Sequence, residues 1–188
     1  MTKKNKKEIN VTKLDLGCGK NKREGFSGVD SIAFDGVDVV CDLTVAPWPF
    51  ADGSVEEVHS SHFIEHLTAP QRIVFANELH RVLKKGGKAT LIAPHWCSCR
   101  AYGDMTHQWP PVSEFWFYYL SRKWRVEDGN APHDDIEYNK NGYSCDFDAT
   151  WGYSLGQHLH TRNQEYQQFA LGNYKESAQD IIATLTKR

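Results

Sequence analysis

The spacing of apolar runs constrains this 188-residue chain more than any other feature. Runs at 11–16, 26–29, 37–41, 55–60 and 89–93, each bounded by turn residues, read as buried strands. The last interval holds a helix. In "LTAPQRIVFANELHRVLKKGG" the residues Ile73, Val74, Ala76, Leu79, Val82 and Leu83 fall near helical spacing, and Lys84, Lys85 and Gly86 supply a cationic last turn and a glycine stop. A strand, a helix and a strand in that order predict a right-handed parallel crossover, so the expected class is α/β with a Rossmann-like, doubly wound sheet. The intervals 17–25 and 30–36 are too short for crossover helices, which need about a dozen residues. Loops or single turns must therefore join the first three strands, leaving one flank of the sheet under-covered. Downstream, "SEFWFYYLSRKW" and "NQEYQQFALGNYKESA" look helical, while "CDFDATWGYSL" and "DIIATLTK" look like strands.

The length suits a single domain, with 1–10 a basic, flexible tail and 11–188 the folded unit. A formal charge of -2 gives no global attraction to phosphate backbones. No run approaches the roughly 18 apolar residues of a membrane span. Five cysteines without a signal-peptide core fit free thiols in a reducing, cytoplasmic setting.

In an open α/β sheet, ligands bind outside the carboxyl ends of the strands. There the sequence places Asp15, Gly17 and Gly19 after the first strand, Asp30 after the second, Asp42 after the third, and Ser61, His62, Glu65 and His66 after the fourth. A carboxylate ending the second strand suits two vicinal ribose hydroxyls, because an ionised acid offers acceptors only. A nicotinamide cofactor would also need its pyrophosphate at a helix amino end behind a third glycine, and the 17–25 interval has no room for that helix. S-adenosylmethionine, which has a ribose but no phosphate, fits better.

The successive motifs "LDLGCG", "GVD", "CDLTVAPWPFADGSVEEVHSSHFIEHL" and "ELHRVLKKGGKATLIAP" resemble those of class I S-adenosylmethionine-dependent methyltransferases of the small type 11 kind. The resemblance runs through about residues 13–95 and is weaker beyond. It implies a seven-stranded sheet with the last strand antiparallel. It further implies that Asp15, Gly17 and Gly19 line the methionine end, that Asp30 binds the ribose, and that Asp42 and Leu43 sit by the adenine. His59 to His62, Ser61 included, would form the wall after the fourth strand.

Methyl transfer needs mainly in-line alignment, with a general base where the acceptor must lose a proton. His62, His95 and His107 are the candidate catalytic residues, expected to converge with Tyr102 near the transferred methyl. Trp96, Tyr102, Trp109, Phe115, Trp116 and Tyr119 are candidate walls of a pocket for a small-molecule acceptor. Cys97 and Cys99 would suit an RNA cytosine enzyme, but the Pro-Cys that such enzymes carry after the fourth strand is absent, so a nucleic-acid acceptor is disfavoured. A catalytically silent cofactor-binding module is the other alternative. His95, Cys97, Cys99 and His107 are acceptable zinc ligands, but Cys-x-Cys is a weak spacing and no metal is expected. Apolar side chains left bare by the missing helices predict a homodimer.

Overall fold

The computed structural model describes residues 11–131 and 142–188; the expected 1–10 tail lies outside them. Seven strands form one sheet: β1 (Lys13–Leu16), β2 (Ser27–Asp30), β3 (Val37–Val40), β4 (Val55–Ser61), β5 (Leu83–Pro94), β6 (Phe147–Leu155) and β7 (Ala178–Lys187). Their order is β3-β2-β1-β4-β5-β7-β6. The first five strands run parallel, and β7 lies antiparallel between β5 and β6. The sequence expected this α/β sheet, its antiparallel last strand and the loops joining the first three strands.

Among the described residues the α-helices are α1 (Ala69–Val82), α2 (Arg100–Gly103), α3 (Glu114–Tyr119) and α4 (Gln164–Asn173), with 3₁₀ turns at Ile64–His66 and Gln157–Leu159 and a π-helical turn at Lys123–Glu127. Pro70 sits in the first turn of α1, and the amide of Thr68 donates to Gln71 Oε1 at 2.9 Å, satisfying a donor that the helix start leaves free. The helix ends at Val82 rather than at the glycines, because Leu83 already pairs with Val55 of β4. Gly86 (φ 75°) and Gly87 instead mark an irregularity within β5, where a Cβ on Gly87 would meet Lys84 O at 2.8 Å.

The two faces of the sheet differ. On one, Leu14, Leu16, Val58, Leu91, Ala183 and Leu185 join Phe75 and Leu79 of α1 in the buried core. On the other, the cross-strand rows carry Lys13 and Glu57 of β1 and β4, Thr90 and Thr184 of β5 and β7, and Asp148 and Thr150 of β6. Ile92 and the 37% exposed Ile182 are neighbours within that polar surface. The missing crossover helices leave this face uncovered as expected; its central rows are polar, while Val40, paired with Asp30 at the β3 edge, is 60% exposed.

Candidate active site

β1 ends in a carboxylate that closes the loop behind it. Asp15 is buried; its Oδ1 lies 2.7 Å from His59 Nδ1 on β4, and its Oδ2 accepts from the Arg23 amide at 2.7 Å. The chain then turns through Gly17 (φ 68°) and Gly19 (φ 53°), left-handed conformations that glycine adopts without steric cost. The Gly17 amide donates to Val29 O at 2.8 Å, which carries the β1–β2 pairing into the turn. At the end of β2, Asp30 Oδ2 accepts from the Gly19 amide at 2.9 Å and Oδ1 from the Ile32 amide at 3.1 Å. Two backbone donors thus fix this half-buried carboxylate beside the glycine turn, and each oxygen retains accepting capacity.

A nucleoside sulfonium can be tested against these residues. A Cβ built on Gly19 meets nothing within 4 Å, so the turn is open beside the pinned Asp30 carboxylate. That arrangement fits a ribose diol. Gly17 differs: a Cβ there would come within 2.5 Å of Phe63 Cγ, so it is the Phe63 side chain that requires glycine at this position. Asp42 Oδ1 is engaged by the Thr44 amide at 2.9 Å and the Thr44 hydroxyl at 2.6 Å. The Leu43 side chain belongs to the core, 2% exposed, which leaves its backbone for any ligand.

After β4 the chain makes a sharp departure. Ser61 still pairs with Ile92, but His62 has φ 54°, a rare conformation for a side-chain-bearing residue, with its amide held by Ile92 O at 2.9 Å. His62 Nδ1 lies 3.2 Å from Glu65 Oε1, and that carboxylate raises the imidazole's pKa against the opposing effect of burial. His62, Glu65, His66, Pro94, Arg100 and His107 line one cleft of about 710 Å³. Arg72 of α1 shapes it: its guanidinium donates to Ile64 O (3.1 Å), Pro110 O (2.7 Å) and Gln108 O (3.4 Å). With the Gln108 amide on Glu65 O at 2.8 Å, this clamp brings residues 107–110 against the 3₁₀ turn.

The four residues expected to converge do not all do so. His62 and His107 share the cleft. His95 does not: it is 0% exposed, with Nδ1 at 3.0 Å from Cys97 Sγ and Nε2 at 2.9 Å from Glu114 Oε1. Both ring nitrogens are committed inside the fold, so it faces no acceptor. Tyr102 lines a different groove of about 900 Å³, together with Trp96, Trp109, Phe115, Glu114 and Tyr153. Four of the six expected aromatic walls are therefore found. Trp116 instead donates to the Tyr143 hydroxyl at 3.0 Å, and Tyr119 packs on Trp124 with ring centroids 5.0 Å apart. Asp180, 4.0 Å from His62 Nε2 and paired with Arg100, was not singled out in the sequence. It lies near the start of the antiparallel strand, and the β7 insertion beside β5 brings it there.

Residues 19–91 match the model of the family described as "Methyltransferase domain". No curated protein matches the chain. Among solved structures, a SAM dependent methyltransferase from Archaeoglobus fulgidus is similar at TM-score 0.62 and 20% identity, covering 97% of this chain and 88% of that one. An S-adenosylmethionine dependent methyltransferase from Mesorhizobium loti gives TM-score 0.48 and 13% identity, over 96% of this chain and 93% of that one. The first of these similarities carries the fold. The methyltransferase-domain match over residues 19–91, set on that fold, makes the chain similar to S-adenosylmethionine-dependent methyltransferases.

Proposed function

We propose that this chain is a class I S-adenosylmethionine-dependent methyltransferase that methylates a small-molecule acceptor held in the cleft between the end of β4 and the loop after β5. The observation that carries the cofactor half of the reading is the Asp30 carboxylate, fixed by the Gly19 and Ile32 amides beside an open turn. In this reading Asp30 accepts from the ribose hydroxyls. Asp15, Gly17 and Gly19 support the methionine end, the backbone at Asp42 and Leu43 borders the adenine, and Ser61 and His62 form the wall facing the methyl. When bound, the cofactor supplies a methyl group already activated on a sulfonium, so the protein's main task is to align the acceptor.

His62 is the side chain best placed to receive a proton from the acceptor, because it stands at the strand end with Glu65 on Nδ1 and its Nε2 toward the cleft side of Asp180. The neighbouring aromatic groove suits a sugar-like or lipid-like portion of the acceptor, with Glu114 as its polar anchor. A screen of small-molecule acceptors with labelled methyl donor tests this reading. An acceptor found there should lose about 10²- to 10⁴-fold in turnover with His62→Ala while cofactor affinity is retained. Unchanged turnover in that variant would leave alignment alone as the catalytic device and remove His62 from the role of base.

A further inference from the structure

We propose that Glu65, His66 and His107 bind a divalent transition-metal ion of the zinc type on the wall of the cleft. Their donor atoms all lie within 4.8 Å of one another. Zinc with bonds of about 2.0–2.1 Å holds tetrahedral ligands about 3.3 Å apart, so closure requires movements of about 1.5 Å at most. Two imidazoles and one carboxylate are a donor set that favours such ions over magnesium or calcium, and three protein ligands leave a position open toward the cleft.

The surrounding hydrogen bonds prepare each ligand. Thr106 Oγ1 donates to Asp104 Oδ1 at 2.7 Å, so toward His66 Nδ1, 2.9 Å away, it acts as acceptor. His66 therefore carries its proton on Nδ1 and presents a bare Nε2. His107 Nδ1 faces the carbonyl of Ala101 at 3.3 Å, which only accepts, so in the neutral ring Nε2 keeps its lone pair, with Asp104 Oδ2 3.8 Å away and outside hydrogen-bond reach. Such outer partners on Nδ1 fix the tautomer and orientation of metal-binding histidines. Glu65 is 4% exposed; Oε1 is met by His62, whereas Oε2 is buried and has no hydrogen-bond partner among the described residues. Buried polar atoms are normally satisfied, and a cation supplies what this oxygen lacks. Arg100, the cation on the same wall, is engaged elsewhere, reaching Asp180 Oδ1 and Oδ2 at 3.0 and 3.2 Å.

The cysteine-containing set weighed from the sequence is not assembled: His95 and Cys97 are buried against each other, and Cys99 is exposed. Metal binding itself is independent of the methyltransferase reading; a role for the open position in holding an oxygen or nitrogen of the acceptor rests on it.

The test uses tag-free protein stripped of metal, titrated with Zn²⁺ by calorimetry and with Co²⁺ by visible absorption, with cofactor affinity measured on the same sample. One equivalent is expected to bind. Glu65→Gln and His107→Ala should each weaken binding at least 10-fold, and Thr106→Val, which touches no metal, should weaken it about 10- to 100-fold through His66. Circular dichroism confirms that the variants fold, with the near-isosteric Glu65→Gln as the safeguard. Absence of binding, or affinity unchanged in both ligand variants, overturns the metal site while cofactor affinity stands. Metal binding without cofactor binding instead overturns the proposed function.

Discussion

Phe63 lies against Gly17, and the two positions answer to each other. A methyl group at Gly17 would collide with the Phe63 ring and would sit at φ 68°. Gly17→Ala is therefore expected to destabilise the fold by about 1–3 kcal/mol, the range for forced overpacking, in addition to the backbone strain. The double variant Gly17→Ala, Phe63→Ala should recover part of that loss, because the collision is gone while the strain remains. Denaturant melts of the two single variants and the double variant measure the coupling, and strictly additive losses would contradict the contact. The sequence places a glycine here and a ligand beside it. It does not reveal that a side chain 46 residues away in the chain, thrown back by the left-handed turn at His62, is the neighbour that forbids a Cβ.

His95 shows how two elements are tied together. It follows β5, Glu114 opens α3, and Tyr153 on β6 donates to the same carboxylate oxygen at 2.6 Å. Burial alone would lower the histidine and raise the acid. The hydrogen bonds they share outweigh burial in both, so His95 is raised above its ordinary 6.5 and Glu114 is held at about 2. The signs give two limbs. The contribution of protonated His95 is complete below pH 6.5 and lost as pH rises through its raised folded value. That of ionised Glu114 is complete above 4.5 and lost as pH falls toward 2. Thermal melts should therefore show Glu114→Gln losing stability most between pH 4.5 and 6.5 and flattening the alkaline limb. A stability loss in that variant that is the same at every pH would contradict the pairing. The position of His95 after a strand is legible in the sequence. Its inward orientation is not, since it depends on partners 2 and 19 residues away meeting it from opposite sides.

Across the whole molecule, the strands followed from apolar runs and turn residues, and the short first connections correctly announced an uncovered sheet face, whereas the strand order β3-β2-β1-β4-β5-β7-β6 was not read from the sequence. What fills that face was not legible. Alternation within each strand shows two kinds of side chain but not that the polar set of all the central strands falls in register on one side, as the Lys13–Glu57 and Thr90–Thr184 rows do. The pairing of Asp30 with the Gly19 turn was legible because both sit at strand ends close in sequence. The cluster of Glu65, His66 and His107 was not legible, because Arg72 and Gln108 bring His107 to Glu65 from a distant loop. In the proposed function the turn at Gly17–Gly19 and the carboxylate of Asp30 hold S-adenosylmethionine. Calorimetric titration with S-adenosylmethionine and S-adenosylhomocysteine measures it most directly. One site of roughly micromolar affinity is expected, with a loss of about 1.5–3 kcal/mol in Asp30→Ala, as for hydrogen bonds to a charged group; no binding, or affinity unchanged in that variant, would rule out this cofactor site.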